Sequence, residues 1–283
     1  MASMNGKVAL VTGATGGLAK AVAAGLAREG AAVVVVGRNP ARAEEAAQDI
    51  RARVPAARVE PMACDLSLQS SVHSAVAGFL AGHGQLDVLV NAAGVFRKER
   101  HVTADGLELT FATNVMSYFL MSCLLLDALK STAAAAGQAR IVNVASPYGN
   151  TRLNFDDLQT AKGRYSYLRS TPPTMLARVL LTQELAERLS GTGVVANAVH
   201  PGLVKNTALL QDVGGPFRWI TNRFGSTAEK AADTPLWLAT APETAAVSGK
   251  LWGRRKELPT PGMGSDPEAR RRLWAECSRL AGM

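Results

Sequence analysis

The stretch Val8-Ala9-Leu10-Val11-Thr12-Gly13-Ala14-Thr15-Gly16-Gly17-Leu18-Ala19-Lys20 decides the fold. Its first five residues are apolar or β-branched and read as a short buried strand. A glycine-rich turn follows, then an alanine-rich segment that reads as a helix ending near Gly30. Glycine permits a tight left-handed turn and close approach of another group. The start of a helix offers free N–H groups and a positive dipole end, which suit a phosphate. Gly13, Thr15, Gly16, Gly17 and Leu18 are therefore candidate contacts to a pyrophosphate. Glycine-rich turns are common, so this stretch alone leaves an ordinary turn open.

The same alternation continues along the chain. Ala32–Val36, Arg58–Met62, Asp87–Val90, Ala139–Ala145, Val194–Val199 and Val247–Leu251 read as further strands. Pro40 opens a helix where proline is tolerated, and Leu107–Lys130 and Met175–Ser190 read as long helices. Strand, helix, strand at this spacing means parallel strands joined by right-handed crossovers. The expectation is an α/β fold: a doubly wound, seven-stranded, mainly parallel sheet of the Rossmann type with helices on both faces. Residues 1–283 read as a single domain. Residues 150–174 and 211–226 read as long insertions, the usual place for a lid or substrate wall. Residues 252–283 form a C-terminal extension that would cover surface otherwise free to pair.

Small and polar residues follow several of these strands, where open α/β sheets bind ligands. Asn91, Ala92, Ala93 and Gly94 follow the fourth and would let a ribose lie against backbone. Asp65 and Leu66 follow the third and would face an adenine. His200-Pro201-Gly202, with Val204 beyond, follows the sixth and would bring backbone groups to a nicotinamide amide. After the second strand, an acid would bond a ribose 2′-hydroxyl; here Arg38 and Asn39 stand instead. A guanidinium pairs with a 2′-phosphate, so the expected cofactor is NADP(H), with Lys20 as a further candidate.

Composition removes other classes. The chain has 31 Lys+Arg against 23 Asp+Glu, a net +8, yet its basic residues are scattered apart from two short runs. Such runs usually mark a solvated face, so no nucleic-acid partner is expected. No apolar run reaches the ~18 residues that a membrane span needs, and the first residues do not read as a secretory signal. Cys64, Cys123 and Cys277 are unpatterned, which suits reduced thiols in a cytoplasm. The four histidines are dispersed and suggest no metal site or triad.

Together the residues of the cofactor half resemble the short-chain dehydrogenase/reductase family, over nearly the whole chain. Arg140-Ile141-Val142-Asn143-Val144, Phe155-Asp156-Asp157-Leu158-Gln159, His200-Pro201-Gly202 and Ala269-Arg270-Arg271-Arg272-Leu273-Trp274 are similar to its retinol dehydrogenase-like branch. The resemblance implies that Ser146 bonds the substrate oxygen and that Asn114 holds a water in a proton relay. It also implies a Tyr-x-x-x-Lys motif, which is replaced. On the branch's pattern the tyrosine falls on Thr171 and the lysine on Met175, with Pro172 and Pro173 between. Proline suits a helix's first turn and not its middle, so the helix is expected to begin about there. Loss of a positioned acid typically costs about 10²–10⁴-fold in rate. Tyr148, Tyr165 and Tyr167 are the tyrosines near enough in sequence to substitute, Tyr148 and Tyr167 being carried as candidates.

What this implies is an NADP(H)-binding reductase with an atypical site. Its acceptor would need little acid help: an iminium, an enone or a quinone-like group in specialised metabolism. A non-redox cyclase, isomerase or dehydratase on the same scaffold stays open, as does an NADP(H)-sensing pseudoenzyme. Phe155, Tyr165, Tyr167, Phe217, Trp219 and Phe224 would line an apolar or aromatic small-molecule pocket, or pack the loops onto the sheet. The resemblance allows a homo-oligomer.

Overall fold

Strands that are apolar at nearly every position are buried on both faces, and the inner strands of the sheet here are mostly of that kind. In the computed structural model, which describes residues 3–147, 149–205, 215–260 and 262–283, eight strands form one sheet in the order β3-β2-β1-β4-β5-β6-β7-β8. These are β1 (Val8–Thr12), β2 (Ala32–Gly37), β3 (Val59–Ala63), β4 (Val88–Asn91), β5 (Ala139–Val144), β6 (Val194–Val199), β7 (Leu251–Gly253) and β8 (Lys256–Leu258). All neighbours run parallel except β7 and β8. Alternate side chains feed two cores. Leu10, Val34, Val36 and Leu89 join one; Ala9, Val11, Val33, Val35, Val88 and Val90 join the other.

The helices α1 (Gly17–Arg28), α2 (Pro40–Arg53), α9 (Ala228–Ala231) and α10 (Asp233–Thr240) belong to the second face. The first is covered by α3 (Gln69–Gly82), α5 (Ser117–Leu124), α6 (Leu126–Ala136), α7 (Tyr167–Arg188) and α11 (Pro267–Ala281). The expected C-terminal extension thus packs in α11: Leu273 and Cys277 are buried, and Trp274 meets Phe119 edge-on at 4.9 Å.

Several expectations are corrected. The sheet has eight strands, not seven. The seventh begins at Leu251 rather than Val247, and side-chain bonds join backbone ones in holding the stretch before it to β6. Asn197 donates to the Val247 carbonyl at 2.6 Å and accepts from Lys250 N at 3.1 Å. Gly249, at φ +77, also breaks the extended run. The added β8 returns through Arg254 and Arg255, both at positive φ (51° and 56°). Consecutive positive φ values suit a tight hairpin turn, normally signalled by Asn or Gly.

The expected helix 107–130 is broken. A short α4 (Leu109–Phe111) leads into a π turn at Ala112–Met116, then α5, and α6 bends from this run by 50°. Among the described residues no single helix is long and apolar enough to cross a membrane. The helix expected from Met175 begins at Tyr167, so Pro172 and Pro173 lie inside it. They remove the N–H groups that would reach the carbonyls of Leu168 and Arg169. Those two residues are exposed, and the first turn is held by Arg169 and Ser170 amides bonding to the Ser166 carbonyl. The insertion expected at 150–174 therefore ends in helix. That at 211–226 contains α8 (Gly215–Phe224); residues 211–214 lie outside the described residues.

Candidate active site

Thr12 is buried at the end of β1, and its Oγ1 accepts from Ala92 N at 3.0 Å and Ala93 N at 3.3 Å. This ties the turn after β1 to the turn after β4. Gly13 sits between them at φ +72, and a Cβ there would meet Ala93 Cα at 2.8 Å. Only glycine fits. Gly16 precedes α1 with no side-chain cap and no acid in the first turn, and a Cβ on it would meet nothing within 4 Å. The first amides of this 12-residue helix thus have no side-chain cap and the space beside Gly16 is open, a cradle that fits a pyrophosphate. Thr15, Gly17 and Leu18 are half-buried around it.

Arg38 is exposed just beyond β2. Asn39 caps α2, its Oδ1 accepting from Arg42 N at 3.1 Å. Lys20 is engaged with Asp49 at 2.5 Å and holds that carboxyl below the usual range. Asp65 Oδ1 accepts from Ser67 N and Oγ at 3.0 and 2.7 Å, with Leu66 buried beside it. Asn91 is buried and donates to Asn143 Oδ1 at 2.9 Å and to Ser122 Oγ at 3.2 Å. Pro201 and Gly94 are half-buried and Gly202 exposed; Val204 bridges to Ser226.

At the other end, Ser146 follows β5 and His200 follows β6. The strands are neighbours with Val144 opposite Val199, and this places His200 Nδ1 3.0 Å from Ser146 Oγ. Burial lowers the imidazole's pKa, a bond with the Ala145 carbonyl raises it, and the positive charge of Arg254 lowers it.

Asn114 sits in the π turn, fully buried. Its Oδ1 accepts from Val95 N at 2.9 Å, and its Nδ2 donates to Val95 O at 3.0 Å and Thr174 Oγ1 at 3.1 Å. Both amide hydrogens are thus spent inside the protein. The Asn114 carbonyl accepts from Arg178 Nε at 2.7 Å. Arg178 also donates to Val144 O at 3.0 Å and Ala93 O at 2.8 Å. Its guanidinium lies 4.1 Å from the centre of the Tyr118 ring. Burial pushes the Tyr118 hydroxyl up to about 12.

Met175 is buried against Phe96, with Tyr167 packed on the pair. Thr171 is buried and its Oγ1 makes no hydrogen bond among the described residues. Tyr165 is turned elsewhere: its hydroxyl donates to Glu108 Oε1 at 2.9 Å and pairs with Thr110 Oγ1 at 3.1 Å. Arg169, four residues beyond it, donates to the Arg164 and Lys162 carbonyls. Tyr148 and the side chain of Phe217 lie outside the described residues. Of the other expected pocket aromatics, Phe155 lies under Arg272 at 4.4 Å, while Trp219 and Phe224 are exposed. The 150–160 loop, the π turn and α7 enclose a cavity of about 180 Å³ lined in part by Phe111, Val115, Leu153 and Thr174.

In the sequence His200 reads only as a source of backbone groups, and Arg178 and Tyr118 do not stand out. A signal for His200 existed, since the two pair members follow neighbouring strands. Arg178 and Tyr118 carried none, because their partners are backbone carbonyls far off in sequence.

The family profile described as short chain dehydrogenase matches residues 7–160, and the chain belongs to the short-chain dehydrogenase/reductase family of oxidoreductases. It is 36% identical to retinol dehydrogenase 13 of Homo sapiens, over 100% of this chain and 86% of that protein. Among solved structures it is similar to an uncharacterised protein from Mycobacterium paratuberculosis, with TM-score 0.79 and 28% identity over 99% of this chain and 94% of the other. A short chain dehydrogenase from Burkholderia cenocepacia J2315, solved in complex with NADP, gives TM-score 0.69 and 27% identity over 89% and 97%.

Proposed function

We propose that this chain is an NADP(H)-dependent oxidoreductase with an atypical active site. Its acceptor is a small apolar or aromatic molecule whose carbon takes hydride with little acid help: an iminium, a conjugated enone or a quinone-like group, within specialised metabolism. One observation carries the reading. Met175, where the family resemblance implies a lysine, is buried in an apolar cluster with Phe96 and Tyr167. An uncharged thioether there cannot bond a ribose or assist an acid.

The bound dinucleotide supplies hydride. The chain's own residues bind and orient it: the first amides of α1 at Gly16 hold pyrophosphate, and Arg38 takes the 2′-phosphate. The complex of the Burkholderia relative with NADP supports this choice. Ser146 bonds the acceptor's heteroatom. The three free thiols suit a reducing, cytoplasmic setting.

Titration with NADPH and NADH, followed by NADPH consumption across an acceptor panel, tests the reading. It expects tighter NADPH binding and turnover of activated acceptors over simple ketones. Product without NADPH consumption favours a non-redox enzyme, and NADPH binding without product favours a sensor; either outcome overturns it.

A further inference from the structure

The chain keeps the serine of the family's site and lacks its tyrosine and lysine, so a proton must come from elsewhere for any acceptor that ends as a hydroxyl. Tyr165 is committed to Glu108 and Thr110, and the Asn114 amide is spent on Val95 and Thr174. Among the described residues, His200 is the titratable group in hydrogen-bond contact with Ser146. We propose that His200 and Ser146 act as one proton-transfer pair, His200 loading and unloading the Ser146 hydroxyl as hydride moves to or from the substrate carbon. This rests on the oxidoreductase reading above.

Backbone bonds on two sides hold the pair. Ala145 N donates to Val199 O at 2.8 Å, and His200 N donates to Trp252 O at 2.7 Å. The imidazole is half-buried, so solvent can recharge it. In reduction, hydride brings two electrons to the carbonyl carbon and the substrate oxygen takes the Ser146 Oγ proton. Ser146 regains a proton from Nδ1 of the His200 imidazolium, which ends neutral and is reprotonated by solvent. In oxidation the alcohol proton passes to Ser146, the Ser146 proton passes to neutral His200, and hydride leaves the carbon. An iminium gains no proton on reduction and needs no such pair.

The pH dependence follows in sign. Burial and Arg254, from the β7–β8 turn, hold His200 below its ordinary pKa, so the imidazolium is the minor form at neutral pH. Reduction therefore slows as pH rises through a value below that of free histidine, and oxidation gains over the same range.

The test uses NADPH with 9,10-phenanthrenequinone as acceptor, on the full chain and on H200N, H200A and S146A. NADPH affinity in each variant serves as the folding control. The His200 ring signals are followed by NMR against pH. The expected results are an His200 titration below the free value that shifts in S146A, and a loss of about tenfold in H200N, smaller than the ~10²–10⁴-fold typical of acid catalysis because a quinone needs little acid help. The pH inflection also disappears in H200N, and added imidazole partly restores H200A. A purely structural role would give no rescue. Wild-type rate and pH profile in H200N, or an His200 titration indifferent to S146A, overturn this inference alone. A wild type that binds no NADPH, or reduces nothing, overturns the reading beneath it and the pair with it.

Discussion

Arg178 Nε donates to the Asn114 carbonyl at 2.7 Å, joining the middle of α7 to the π turn. The same guanidinium bonds the carbonyls of Val144 and Ala93, so one side chain gathers the ends of β4 and β5. These are the strand ends that carry the Asn91–Gly94 turn and Ser146. The floor of the site is therefore held by a fork of donors. Lysine, with one compact ammonium, does not reproduce it. R178M leaves buried carbonyls without their donors and is expected to cost about 3 kcal/mol in stability. Urea unfolding checks this, with R178K recovering only part.

Arg38, exposed just beyond β2, takes the 2′-phosphate in the proposed function. Loss of a hydrogen bond to a charged group costs about 1.5–3 kcal/mol. R38A is thus expected to weaken NADPH binding about ten- to a hundredfold and leave NADH binding little changed. Titration with both nucleotides measures the ratio.

Gly13 has no room for a side chain, since its Cβ would sit 2.8 Å from Ala93 Cα. Its positive φ adds about 1 kcal/mol for any other residue. G13A is expected to lose NADPH binding and to lower the unfolding temperature, both read by a thermal shift with and without cofactor.

Most of the scaffold was legible because period and punctuation agree: β1 and β6 match Val8–Thr12 and Val194–Val199. The misses share a physical cause. The start of α7 was hidden because two prolines argue for a helix N-terminus, while Tyr167–Ser170 are held by bonds that no propensity reveals. The β7–β8 hairpin was hidden because its turn uses Arg254 and Arg255 at positive φ. At the site, the cofactor cradle is local and readable from glycines. The Ser146–His200 pair exists only once β5 and β6 lie side by side, and Arg178 acts through carbonyls that sequence does not distinguish.

His200 also links stability to pH. Its folded pKa lies below the ordinary value, so the unfolded chain binds the proton first as pH falls. The contribution is fully present above the unfolded pKa, about 6.5, and is lost as pH drops from there toward the folded value. Denaturant midpoints at successive pH values are expected to fall less in H200N than in the wild type across that window.

Placing a lysine at position 175 by itself is expected to fail. Met175 is 3% exposed, in an apolar cluster. An ammonium there has no counter-charge in that cluster, and M175K is expected to cost about 3 kcal/mol. Unfolding curves of M175K against M175L check the sign.

Hydride transfer itself is the central claim. NADPH carrying deuterium at the transferable position of its nicotinamide ring, incubated with the protein and activated acceptors, tests it most directly by mass spectrometry of the product. One deuterium in the product for each NADPH consumed is the expected result. A product without deuterium, formed while NADPH stays intact, would contradict it.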